Sequence, residues 1–136
     1  DRFAGAMDTN GKRIFNNDLI VVGKWNREYN STRKHGIVEA GQTYNLYKEH
    51  YGILKVVDKG HYFGLERFRD LHNHFLYWDI NNLYEFTDEY FIENLGDCNT
   101  VESVKKAYDY WNTNKDMKIY KDGLRVKIEK EKPTNG

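Results

Sequence analysis

Arg2-Phe-Ala-Gly-Ala-Met-Asp-Thr-Asn-Gly-Lys-Arg-Ile-Phe-Asn-Asn-Asp-Leu-Ile-Val-Val22 is the stretch whose reading decides the fold. Asp8-Thr9-Asn10-Gly11 is a turn signal. Asp and Asn side chains bond nearby backbone, and Gly accepts the positive φ that closes a tight turn. Lys12 and Arg13 are solvated, and Ile14-Phe15 is a short apolar pair able to plug the end of a barrel. Asn16-Asn17 makes a second turn, Asp18 follows it, and Leu19-Ile20-Val21-Val22 predicts a strand. Four apolar residues without alternation suit a strand covered on both faces, or one crossing a barrel interior.

The order of these signals resembles the YopX family of phage and prophage proteins. The residues that carry the resemblance are Phe3-x-Gly5, then Asp8-x-Asn10-Gly11-Lys12, then Ile14-Phe15-x-x-Asp18-Leu19-Ile20-Val21, without a gap. A weaker echo is Phe91-Ile92-Glu93-Asn94-Leu95-Gly96-Asp97, where the family closes its barrel with a valine-isoleucine-glycine-asparagine segment. Glu93 stands where that segment has its glycine, and Asn17 where a glycine commonly precedes the aspartate. The resemblance extends over residues 2–101. It implies a small SH3-like β-barrel of phage or prophage origin, and it implies no particular activity.

At 136 residues the chain is expected to form one unit that buries about two thirds of its unfolded surface. Eleven Tyr and a single Pro give a strand-favouring composition. No apolar run approaches the ~18 residues of a membrane span, and no signal-peptide pattern is present. Cys98 is the only cysteine, so a reducing, cytoplasmic setting in a bacterial host cell is expected.

Net charge is zero but unevenly spread. Residues 1–69 carry 12 Lys or Arg against 8 Asp or Glu, and residues 100–136 carry 9 against 6. Between them lie Asp70, Asp79, Glu85, Asp88, Glu89, Glu93 and Asp97, with no Lys or Arg in residues 70–99. Folding can interleave such a band with basic strands from elsewhere, so segregation in sequence need not become a face.

Residues 23–35 are polar and read as a long loop or hairpin tip; residues 36–40 form a short strand; residues 43–50 are ambiguous. Residues 51–57 are a strand that pairs, across Asp58-Lys59-Gly60, with residues 61–68. Further short strands are predicted over residues 74–79, 83–86 and 89–94, with spacing that suits a barrel or strongly bent sheet. Thr100 is an N-cap, and Val101, Val104, Tyr108 and Trp111 mark the apolar stripe of a helix with Lys105, Lys106 and Asp109 outside. Asp122-Gly123, between alternating runs, predicts a C-terminal hairpin. The expected fold is therefore mainly β, a β-rich α+β chain. Residues 1–99 form the SH3-like barrel, and residues 100–136 add a helix and hairpin packed on it as part of the same unit.

Candidate chemistry is sparse. Asp70-x-His72-x-His74 places three possible metal ligands on one strand face, and a further ligand would have to come from His35, His50 or His61. Surface histidines beside an acid are the simpler account, and no metal or cofactor is assigned. Asp97 beside Cys98 supplies no cation to activate the thiol, so a nucleophile is not expected. Phosphate loops, nucleophile elbows and paired carboxylates are absent from the sequence, so no enzyme is expected.

Two binding surfaces remain. Tyr77, Trp78, Asp79, Tyr84, Glu85, Asp88 and Glu89 interleave rings with carboxylates, a composition suited to the basic groove of a host protein such as a defence nuclease. Lys24, Arg27, Arg33 and Lys34 are the alternative, a basic patch for nucleic acid or a nucleotide. The first gives a non-enzymatic phage accessory protein that inhibits or modulates its host target, and the second a nucleic-acid-binding barrel.

Overall fold

Residues 19–22 lie at the centre of the molecule because both neighbours of their strand and both faces of the sheet are covered. A computed structural model describes residues 2–29, 43–73, 79–80 and 89–128. Strands β1 (Phe3–Met7), β2 (Arg13–Phe15), β3 (Asp18–Tyr29), β4 (Tyr44–Asp58), β5 (Phe63–His72) and β6 (Tyr90–Asp97) come first. Helix α1 (Val101–Asn114) and strands β7 (Met117–Tyr120) and β8 (Arg125–Lys127) follow. The main sheet runs β6-β3-β4-β7-β8, all antiparallel, with β5 also paired to β4. Among the described residues the chain is mainly β, with helix α1 against the sheet. Among the described residues no ladder joins β6 to β5 or to β8, so the sheet is not closed by backbone pairing.

β4 is long enough to serve two partners on one edge. Its inner half pairs with β5 from Gly52↔His72 to Asp58↔Phe63, and its outer half pairs with β7 at Tyr47↔Tyr120 and Lys48↔Ile119. β3 occupies the whole opposite edge, from Leu19↔Lys55 to Tyr29↔Tyr44. Leu19 and Val21 point to the helix side, with Ile53, Phe91, Ala107 and Trp111. Ile20 and Val22 point the other way, to Ala4, Ala6, Ile14, Leu54, Val56 and Ile92. All four residues of the run are fully buried, each stabilising the fold by roughly 1.5–3 kcal/mol. The β1–β2 ribbon supplies Ala4, Ala6 and Ile14 to the second layer and leaves Phe3 and Met7 exposed.

A bulge between Val22 and Gly23 re-aims the outer half of the sheet. A side chain at residue 23 would occupy the space of the Phe91 ring and the Glu49 carbonyl, so only glycine fits. Beyond it, β3 continues to Tyr29, where a loop over residues 23–35 was expected. Lys24, Asn26 and Glu28 alternate with Trp25, Arg27 and Tyr29, a strand pattern hidden by its polarity. Pairing with β4 holds it. Residues 44–50 become the outer half of β4.

The helix is capped as expected, with the Thr100 hydroxyl accepting the Ser103 N–H at 3.3 Å. Of the expected stripe, Trp111 is buried and Val104 and Tyr108 pack against the same core, while Val101 does not. Val101 is 86% exposed, and Ser103, Ala107, Trp111 and Asn114 face the sheet. Small residues at 103 and 107 let the helix approach closely, which hydrophobicity alone does not reveal. The hairpin also differs in detail. The Gly123 N–H bonds to the Tyr120 carbonyl and the Tyr120 N–H to the Leu124 carbonyl, with Gly123 at φ 98°. That is a three-residue loop ending in a left-handed glycine, rather than a two-residue Asp-Gly turn. The strands expected over residues 36–40 and 83–86 lie outside the described residues, as does the strand expected over 74–79 except for Asp79, which forms an isolated bridge with Gly64.

Candidate functional site

The outer halves of β3 and β4 carry rings and cations on one face. Strand alternation places Trp25, Arg27 and Tyr29 on the same side, and direct pairing sets Lys48, Leu46 and Tyr44 opposite them. The Arg27 guanidinium lies 4.8 Å from the Tyr44 ring centre, and Tyr44 meets Tyr29 edge-on at 5.8 Å. The Lys48 ammonium sits 5.5 Å from the Trp25 ring and 5.0 Å from Phe91. Each such contact contributes about 0.5–1 kcal/mol at an exposed position, enough to orient a side chain without immobilising it. Tyr29 and Tyr44 remain 37% and 43% exposed.

The opposite face of the same strands is where the acids are engaged. Glu28 accepts the Tyr120 hydroxyl at 2.6 Å and pairs with Lys118 at 3.5 Å, and Glu49 accepts the Asn26 amide. The Glu28 hydrogen bond pushes the Tyr120 phenol up to about 12. On the ring face Arg125 joins Lys48 through the Lys48↔Ile119↔Arg125 row, with Glu89 and Asp122 at the margins.

Two recesses open on this shelf. One, of about 450 Å³, is bordered by Lys24, Trp25, Arg27, Tyr44, Leu46 and Glu89. The other, of about 430 Å³, lies between the end of β4 and the hairpin turn, bordered by Tyr44, Leu46, Tyr120, Lys121, Asp122 and Leu124. Tyr44 and Leu46 line both. A Lys121 N–H bond to the Leu46 carbonyl, at 3.0 Å, fixes the hairpin against β4.

Sequence-predicted residues reach this surface in part. Lys24 and Arg27 border the first recess, whereas Arg33 and Lys34 lie outside the described residues. Of the acidic aromatic set, Tyr77, Trp78, Tyr84, Glu85 and Asp88 lie outside them too. Asp79 is half-buried, and Glu89 is exposed at the shelf, its carbonyl accepting the Trp25 N–H at 2.8 Å. Asp70 and His72 stand on β5, with His74 outside the described residues. Among the described residues no three His, Cys, Asp or Glu side chains converge as a metal site would require. Trp25, Tyr29, Tyr44 and Lys48 were not singled out by the sequence. The available signal was ring-polar alternation in Trp25-Asn26-Arg27-Glu28-Tyr29.

His50, a possible extra metal ligand by sequence, is a core residue. It is 3% exposed, its Nε2 pairs with the Tyr110 hydroxyl at 2.9 Å, and its ring meets Phe91 edge-on. Burial, with Lys48 and then Arg125 nearby, pulls its pKa down to about 4. Burial, with Glu93 nearby, pushes Tyr110 up. The neutral pair is a hydrogen bond under the helix and offers no acid-base chemistry to solvent.

Comparison with known proteins finds no matching family model, no matching curated protein and no matching solved structure. No helix among the described residues is long and apolar enough to cross a membrane. The class that fold and site define is a β-rich chain presenting a ring-and-cation shelf.

Proposed function

We propose that this is a non-enzymatic binding protein of phage or prophage type, its sheet a variant of the SH3-like barrel of the YopX family, and that the shelf binds single-stranded nucleic acid. The observation that carries the reading is the alternation of Trp25, Arg27 and Tyr29 opposite Lys48, Leu46 and Tyr44. The exposed Tyr29 and Tyr44 rings, with half-buried Trp25 beside them, offer sequence-tolerant stacking faces to bases, and the cations between them meet phosphates. A duplex hides its base faces, so single strands are the favoured ligand. Fluorescence anisotropy of labelled oligo-thymidylate, oligo-uridylate and duplex DNA tests it. Single strands bind, salt weakens the binding, and Trp25→Ala or Arg27→Ala reduces it. Absence of binding at low salt overturns the reading.

A second reading keeps the acidic aromatic band as the contact surface for a host protein with a basic groove, acting in the bacterial cytoplasm. Its support is Glu89, an exposed acid directly beside the Trp25 recess. Pull-down from host lysate would recover a basic partner, and charge reversal at Glu85, Asp88 and Glu89 would release it. Unchanged recovery from that triple variant removes this mechanism.

A further inference from the structure

We infer that the shelf holds two consecutive bases, one in each recess, with Tyr44 and Leu46 as the divider between them; this rests on the single-strand reading above. The two recesses have nearly the same volume, about 450 and 430 Å³, and share the same two side chains as a common wall. Each has what one nucleotide needs. The first combines Trp25 and Tyr44 with Lys24 and Arg27, and the second combines Tyr44 and Leu124 with Lys121, beside Asp122. A ring or apolar surface takes the base, and the adjacent cation takes the phosphate.

The second recess exists only because the hairpin is docked. Tyr120 is tied to Glu28 on β3, and the Lys121 N–H to Leu46 on β4, so the hairpin turn is held beside the end of β4. Leu124 stays 58% exposed there, an apolar side chain turned to the recess rather than to the core. The β7–β8 hairpin therefore works as the second half of the binding site as well as an added edge of the sheet. Glu89, an acceptor at the first recess, favours a base bearing an exocyclic amine over thymine or uracil there.

Isothermal titration calorimetry of the full chain with unlabelled oligodeoxyadenylates of one, two, three and six nucleotides separates the possibilities. Affinity rises by about tenfold or more from one nucleotide to two, because the second base adds a stacking contact, and rises more slowly afterwards. Lys121→Ala/Leu124→Ala lowers affinity for the dinucleotide by about five- to tenfold and takes the mononucleotide from two sites per chain to one. Trp25→Ala weakens every length. Lys121 and Leu124 are exposed and Trp25 is half-buried against Phe91, so circular dichroism and thermal melting of each variant verify that the fold is retained. If wild type binds the hexanucleotide and the hairpin variant binds it equally well, the two-recess arrangement is wrong while single-strand binding stands. If no oligonucleotide binds, the underlying reading fails. Equal binding of poly-glutamate shows a site for acidic protein, and overturns the assignment to bases.

Discussion

The Asn94 side-chain amide donates to the Asp18 carboxylate across 2.8 Å inside the core, and so joins the opening turns to β6. The same Nδ2 reaches the Arg13 carbonyl at 2.9 Å, the Asn94 N–H reaches Asp8 Oδ2 at 2.9 Å, and Asn94 Oδ1 accepts the Gly96 N–H. Asp8 Oδ1 takes the N–H groups of Asn10 and Lys12, and Asp18 Oδ2 also takes that of Phe15. Asp8, Asp18 and Asn94 are 7%, 6% and 7% exposed, so these partners replace water almost completely. Two carboxylates this deep persist because backbone N–H groups and one amide satisfy them.

Asn94→Leu removes the amide from two acceptors and leaves them buried without it. We expect a loss of about 3 kcal/mol, seen in urea unfolding. Asn94→Asp adds a third carboxylate to the pair. Its folded pKa would lie above the unfolded value, so that variant loses further stability as pH rises from about 4 toward 7. A pH-independent difference between wild type and Asn94→Asp would show that this network does not carry the charge.

Gly23→Ala tests the bulge. The added methyl meets a Phe91 ring atom and the Glu49 carbonyl at impossible distances, and backbone cannot move as cheaply as a flexible side chain. A loss of about 2–3 kcal/mol is expected from overpacking, with the Trp25–Phe91 contact disturbed. Gly60→Ala is a useful contrast. Space around residue 60 is open, and only the strain of its positive φ is added, so it costs less.

His50 makes stability pH-dependent in a defined window. Its folded pKa, about 4, lies below the ordinary value of 6.5, so the unfolded chain binds the proton more readily. The contribution is complete above pH 6.5 and is lost as pH falls toward 4, by up to about 3 kcal/mol. Lys48 and Arg125 oppose protonation from the strand and hairpin sides. Thermal melts from pH 7.5 to 5 should fall more steeply for wild type than for His50→Phe. Equal slopes would mean that His50 is protonated in the folded state without penalty.

The parts of the fold that were legible in sequence were those with a local cause. The Asp8-to-Gly11 turn, the unbroken apolar run of residues 19–22, the β4–β5 hairpin and the Thr100 cap each follow from residues close together in the chain. The outer half of β3 was missed because polar residues on a half-exposed strand have no hydrophobic signature; pairing with β4 holds them in place. The helix stripe was legible at Val104, Tyr108 and Trp111 but not at its edges, because Ser103 and Ala107 are buried for being small, while Val101 is apolar yet faces solvent. The shelf follows the same logic. Lys24 and Arg27 were legible as charges, but their relation to Tyr44, Leu46 and Lys48 depends on the β3–β4 register, which no local pattern specifies.

Salt dependence gives the shelf its most discriminating test. Each phosphate neutralised on a single strand contributes about −0.7 to the slope of log affinity against log salt. Arg27→Ala should therefore reduce the magnitude of the slope by about 0.7, and Lys24→Ala/Arg27→Ala by about 1.4, whatever the base sequence. Tyr44→Ala should behave differently. It removes a ring shared by both recesses, lowering affinity by about 1–3 kcal/mol with little change in slope. It also frees the Arg27 guanidinium from its stacked position, which adds a small compensating gain in phosphate contact. Anisotropy titrations across a range of potassium chloride concentrations read both quantities at once. If Arg27→Ala and Tyr44→Ala shift slope and affinity in the same proportion, rings and cations are not performing separate jobs, and binding by the shelf is diffuse charge attraction alone.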